Sequence, residues 1–145
     1  MNHGDGDRAL ALRAQLAEVH RSLLDRVDEL RGGRPLLAHC LAFCAALTSH
    51  HRAEDEGLFA ELVRVRPDLA PAVGKLMEDH ELIAMLLARV EAAADPDAAA
   101  RELDGLAAIM ASHFAFEERA LREALGGALE PAEWFPAVFE PKEWT

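Results

Sequence analysis

Residues 103–125 read LDGLAAIMASHFAFEERALREAL, and the spacing of their apolar positions decides the fold. Leu103, Leu106, Met110, Leu121 and Leu125 recur every three or four residues, the period of a helix with one buried face. His113 and Glu117 fall on that same face, one turn apart. Working outward, the pattern repeats. Leu12, Leu16, Leu23, Val27 and Leu30 form one stripe with His20 in its middle. Cys40, Cys44, Leu47, Leu58 and Leu62 form a second, which also carries His50, His51 and Glu54. Val73, Leu76, Met77, Ile83, Leu87 and Val90 form a third around His80. Alanine and leucine dominate throughout, as helices prefer.

Turn signals divide these stripes. Gly32-Gly33 with Pro35, Pro67-Asp68 with Pro71, and Asp95-Pro96 separate helices expected over 7–31, 35–65, 69–94 and 96–125. Asp68 and Asp95 are the expected N-caps, and Gly126-Gly127 the last helix stop. Short turns make sequential helices antiparallel neighbours, so the expectation is an all-α, up-down-up-down antiparallel four-helix bundle over 1–127. Residues 128–145 read differently. Pro131, Pro136 and Pro141 forbid a long helix, and Trp134, Phe135, Phe139 and Trp144 are half of the chain's aromatic residues. This tail is expected to pack on the bundle or on a partner, as in a homodimer.

The 145-residue length fits one domain, and 51% hydrophobic with 28% charged residues supplies a core and argues against disorder. A net charge of −11 disfavours nucleic acid and anionic membrane as partners. No apolar run reaches the ~18 residues of a membrane span. The amino terminus lacks the basic and apolar regions of a secretory signal, so a cytoplasmic location with reduced cysteines is expected. Cys40 and Cys44, one turn apart, read as small core residues. With no tyrosine, mechanisms built on a tyrosyl radical or a phenol acid are excluded. There is no Ser-His-Asp grouping, phosphate loop or dinucleotide motif.

The inward-facing polar residues carry the functional signal. Glu54 and His80 lie equally far from Pro67, while His80 and His113 lie almost equally far from Pro96. Antiparallel helices therefore bring them to one height. His20 and His50 lie unequally far from Gly33, an offset of about 6 Å at 1.5 Å rise per residue. Buried carboxylates cost several kcal/mol unless paired or coordinated. The nearby core positions offer no Lys or Arg, so a bound cation is expected. Imidazole and carboxylate without thiolate suit iron, manganese or zinc, and two carboxylates among several imidazoles suit a pair of ions. The Glu-x-x-His spacing of ferritin-like di-iron bundles does not occur.

A histidine in the first helix, His-x-x-x-Glu in the second, a histidine in the third and His-x-x-x-Glu in the fourth resembles the hemerythrin-like, HHE cation-binding domain family. The resemblance spans roughly 10–125, and the segments Ser49 to Phe59 and His113 to Leu121 are similar to its signature stretches. It implies a non-haem di-iron centre, two iron ions with a bridging oxygen, for which zinc or manganese are substitutes. Glu54 and Glu117 are then the bridging carboxylates, and His20, His50, His80 and His113 the terminal ligands. The implied function is binding of dioxygen, nitric oxide or peroxide for sensing, storage or detoxification, with electrons or output passing through a redox partner protein. The alternative is an iron-binding or iron-sensing module without catalysis and with metal-dependent stability. One departure bears on a simple carrier role: oxygen-carrying members have two histidines a turn apart on the third helix, whereas Leu76 and Ala84 flank His80 here.

His51 has two readings, a rim residue at the helix interface or a fifth histidine ligand. As a ligand it leaves one coordination position of the pair open; otherwise two remain, a wetter site suited to turnover or iron release. Of the rest, His39 reads as a surface residue, and Asp55, Glu56 and Glu118 as solvent-facing. Met77 and Met110 read as core filler, and Phe116 as a cover that keeps the metal pocket dry.

Overall fold

The computed structural model describes residues 3–32, 37–125, 129, 132–142 and 144. Among them the chain is helical, with no strand. Helix α1 runs His3–Gly32 and α2 runs Leu37–Ala53. A π turn, Glu54–Leu58, leads without a break into α3, Phe59–Val65. After a short 3-10 turn, Pro67–Leu69, α4 runs Ala70–Glu91 and α5 runs Pro96–Leu121. A short α6, Phe135–Phe139, stands in the C-terminal segment. Gly33, Pro35, the stop at Gly126-Gly127 and Pro131 lie outside the described residues.

Local chemistry explains the starts of α5 and α4. Asp95 is extended, and its carboxylate accepts from the Ala98 N–H at 2.8 Å, capping α5 as expected, with Pro96 in the tolerated first position. Asp68 does not cap. Pro67–Leu69 already form a tight turn whose carbonyls receive the first N–H groups of α4, leaving Asp68 to grip the Arg66 guanidinium at 2.8 and 2.9 Å. The second helix also departs from its expected uninterrupted course. At Glu54 its ladder widens into the π turn, a device often found at functional sites. Gly57 lies in that turn because nothing larger fits: an added Cβ would stand 2.1 Å from Cγ of Trp134. The indole of the C-terminal segment thus rests on bare backbone.

α1 packs on α2 and α5, and α4 on α2 and α5, so the four long elements form a ring; α6 lies against α1 and α2. Their apolar faces make two clusters rather than one. One is built around Val27, Phe43, Leu47, Leu87, Leu103 and Met110, the other around Leu16, Leu58, Leu62, Leu76, Leu121 and Phe139. Met110 is core, but Met77 is 40% exposed, being one residue off the buried stripe of α4. Cys40 and Cys44 are buried free thiols, and burial pushes the Cys44 thiol up to about 12. No described helix is long and apolar enough to cross a membrane.

Candidate metal centre

Between the two apolar clusters lies a polar layer. Among the described residues, the buried polar side chains are His20, His50, His51, Glu54, His80, His113 and Glu117. These are the seven that the sequence nominates. They arrive from α1 (His20), the last turn of α2 (His50 and His51), the π turn (Glu54), α4 (His80) and α5 (His113 and Glu117). They form two groups, each with one ligating atom per residue within 4.8 Å of the others. His51, Glu54, His80 and His113 make one; His20, His50, Glu54 and Glu117 make the other. Glu54 belongs to both.

Four imidazoles are oriented from outside the layer. Nδ1–H of His20 donates to Glu118 at 2.8 Å, that of His80 to Asp55 at 2.7 Å, and that of His113 to Asp79 at 3.0 Å. Nδ1–H of His50 donates to the main-chain carbonyl of Ala137 at 3.1 Å. Because every partner is an acceptor, the proton sits on Nδ1 and the Nε2 lone pair points inward, the arrangement of metal-binding histidines. Asp55 and Glu118, expected to face solvent, are therefore half-buried supports. Asp79 was not singled out by the sequence at all. The available signal was position, since each of these three acids is the chain neighbour of a candidate ligand.

Most of the inner atoms lack partners. Nε2 of His20, His50 and His51 and all four oxygens of Glu54 and Glu117 make no hydrogen bond. Nε2 of His80 and Nε2 of His113 face each other at 3.1 Å, close enough for a hydrogen bond between them and for two donors on one cation. Glu117 sets one oxygen 3.3 Å from His20 Nε2 and the other 3.5 Å from His113 Nε2. Glu54 Oε1 lies 3.3 Å from His80 Nε2 and 3.5 Å from His50 Nε2. Two donors bound to one cation at about 2.1 Å stand about 3.0–3.4 Å apart, so these spacings suit shared cations. An orphaned buried polar atom is costly in any other setting. The donor set fits a metal.

Charge follows the same geometry. Burial, then the neighbouring His20, pushes the His50 imidazole down to about 3. Burial with His80, His50 and His113 also holds His51 well below its ordinary value. Burial and the facing Glu117 drive the Glu54 carboxyl well above its usual range. For His20, burial opposes the charged form, but the carboxylates of Glu117 and Glu118 outweigh it and the value rises. Burial likewise opposes the Glu117 carboxylate, yet His20, Glu54 and His113 hold it well below the usual range.

Aromatic rings line the layer. Phe114 stacks on His20 at 3.9 Å with 4° between planes, and Phe59 lies 5.5 Å from His80. Phe116, the expected cover, instead sits half-buried beneath the cations of Lys75 and Arg119. His51 stacks on His80 at 3.7 Å. Both rings form the floor of a cleft of about 270 Å³ between α2 and α4, with Thr48, Arg52 and Ala84 among its walls.

A family model, the hemerythrin HHE cation binding domain, matches residues 10–125. The chain belongs to this family of cation-binding helical proteins. No curated protein and no solved structure matches it.

Proposed function

We propose that the polar layer holds two iron ions with a bridging oxygen and takes up dioxygen or a related small molecule, nitric oxide or peroxide. The observation that carries this reading is the pair of donor groups sharing Glu54, in which five of the seven residues have inner atoms left without partners. In this assignment Glu54 and Glu117 bridge. His20 and His50 complete one position, and His80, His113 and His51 the other. Iron in this setting supplies reversible electron exchange with a small oxidant. The chain's own part is to hold the rings by their Nδ1 protons, keep water out with Phe114 and Phe59, and admit a small molecule by the cleft over His51 and His80.

The reading also includes the expected up-down-up-down antiparallel bundle, with residues 128–145 as a covering segment. Contacts that support it run in opposite senses along three of the four neighbouring helix pairs. Arg31 meets Asp104 while His20 meets Glu117, and Arg89 meets Glu102 while Asp79 meets His113. Cys44 meets Leu87 while Asp55 meets His80.

The small-molecule role is tested by titrating the anaerobic, reduced iron protein with nitric oxide and with dioxygen. A saturating optical change is expected. Iron binding with no response to either gas would contradict uptake and leave the iron-binding module as the reading. His51→Ala is expected to retain iron with affinity lowered by ~10–100-fold and with an altered spectrum. A spectrum and affinity identical to the parent would remove His51 from the ligand set.

A further inference from the structure

Three of the four oriented histidines are supported by carboxylates of the elements that carry the ligands: Glu118 on α5, Asp55 in the π turn and Asp79 on α4. His50 differs. Its Nδ1–H is held by a neutral main-chain carbonyl, Ala137, in the C-terminal segment 87 residues away. That segment is fastened on both sides of Ala137. Trp134 lies on the bare backbone of Gly57, three residues beyond Glu54. Val138 and Phe139 are buried in one apolar cluster, and Trp144 packs 6.3 Å from Phe43 with the Arg26 guanidinium 5.1 Å over its ring. His50 also borders a cleft of about 420 Å³, one wall of which is Ala137, Glu140 and Lys142. Lifting the segment removes that wall and opens His50 Nδ1 to water.

We propose that the C-terminal segment is a positioning strap for one half of the metal centre, so that its docking and metal occupancy of the His20, His50, Glu54 and Glu117 group reinforce each other. This rests on the two-ion reading above. A cation on Nε2 draws electron density from the imidazole and makes Nδ1–H a stronger donor to the Ala137 carbonyl. By linkage, whatever docks the strap more tightly when metal is bound must bind metal more tightly when docked. The His51, Glu54, His80 and His113 group has its outer supports at Asp55 and Asp79; the strap reaches it through the π turn that carries Glu54 and Asp55 and through the bridging carboxylates, and holds none of its imidazoles by hydrogen bond. The strap therefore acts unequally on the two ions.

The test is chelator competition with anaerobic ferrous iron on the full chain and on the double variant Trp134→Ala/Phe139→Ala, which keeps all seven donors. One of two ions is expected to weaken by ~10–100-fold while the other changes little, and Trp134→Phe/Phe139→Leu is expected to recover most of the loss. Equal weakening of both ions, or none, would overturn the strap while leaving the two-ion reading intact. A parent chain that binds no metal would overturn both. Where the double variant fails to fold, hydrogen exchange on the unaltered chain decides. Amides of 135 and 137–140 should lose protection at least ~10-fold more than those of α4 on iron removal. A uniform change along the chain would overturn the proposal.

Discussion

Removing the metal is expected to lower the melting temperature by about 10 °C. A cation present at a thousandfold excess over its Kd stabilises by about 4 kcal/mol, and each kcal/mol shifts a chain of this size by about 2–4 °C. The physical reason is the layer itself, in which seven buried polar side chains face one another and five of them have unpartnered inner atoms. Acid acts in the same direction on the metal-free protein. His50 is depressed to about 3 from 6.5, so the unfolded chain takes up that proton more readily. Its contribution is present above 6.5 and lost as the pH falls towards 3, and His51 has the same sign. His20 and Glu54, both raised, act oppositely, but only above their ordinary values of 6.5 and 4.5. Below 4.5 the depressed Glu117 joins His50 and His51, and the opposing contributions of His20 and Glu54 are already complete. Melting followed by circular dichroism, with and without chelator and across pH 3–7, checks both statements. A melting temperature indifferent to chelator would place the metal elsewhere.

Glu54→Gln is expected to cut the affinity for both ions by more than ~100-fold, because Glu54 belongs to both donor groups and is one of the two proposed bridging carboxylates. His20→Ala, which lies in one group only, should spare the other ion. The same Glu54 change should stabilise the metal-free protein by about 1–3 kcal/mol, since it removes one of two facing buried carboxylates. Opposite signs in the two states distinguish a ligand from a residue that merely packs. Metal titration and melting of the same variant give both numbers. A Glu54→Gln protein that still binds two ions with parental affinity would contradict the shared-ligand assignment.

What could be read in the sequence follows from what periodicity encodes. A histidine or glutamate on an apolar stripe is visible as a break in that stripe, and His20, His50, His80, His113, Glu54 and Glu117 all announce themselves in this way. Outer supports do not, because Asp55, Asp79 and Glu118 sit at half-buried positions where an acid breaks no pattern. The π turn left one trace, Gly57 inside an otherwise good helix, whose meaning needed the distant Trp134 to be in place. The Ala137 carbonyl left none, since a main-chain acceptor carries no side-chain signature. Phe114 was passed over for Phe116, two residues on. In a helix they point almost oppositely, and only the packing of α1 against α5 shows which ring meets His20.

The central claim, a pair of iron ions held by these seven residues, is tested most directly by metal analysis of the purified chain together with its optical spectrum, first reduced and then exposed to air. About two irons per chain and a ligand-to-iron absorption band near the violet after exposure are expected. One zinc per chain with no colour would contradict it.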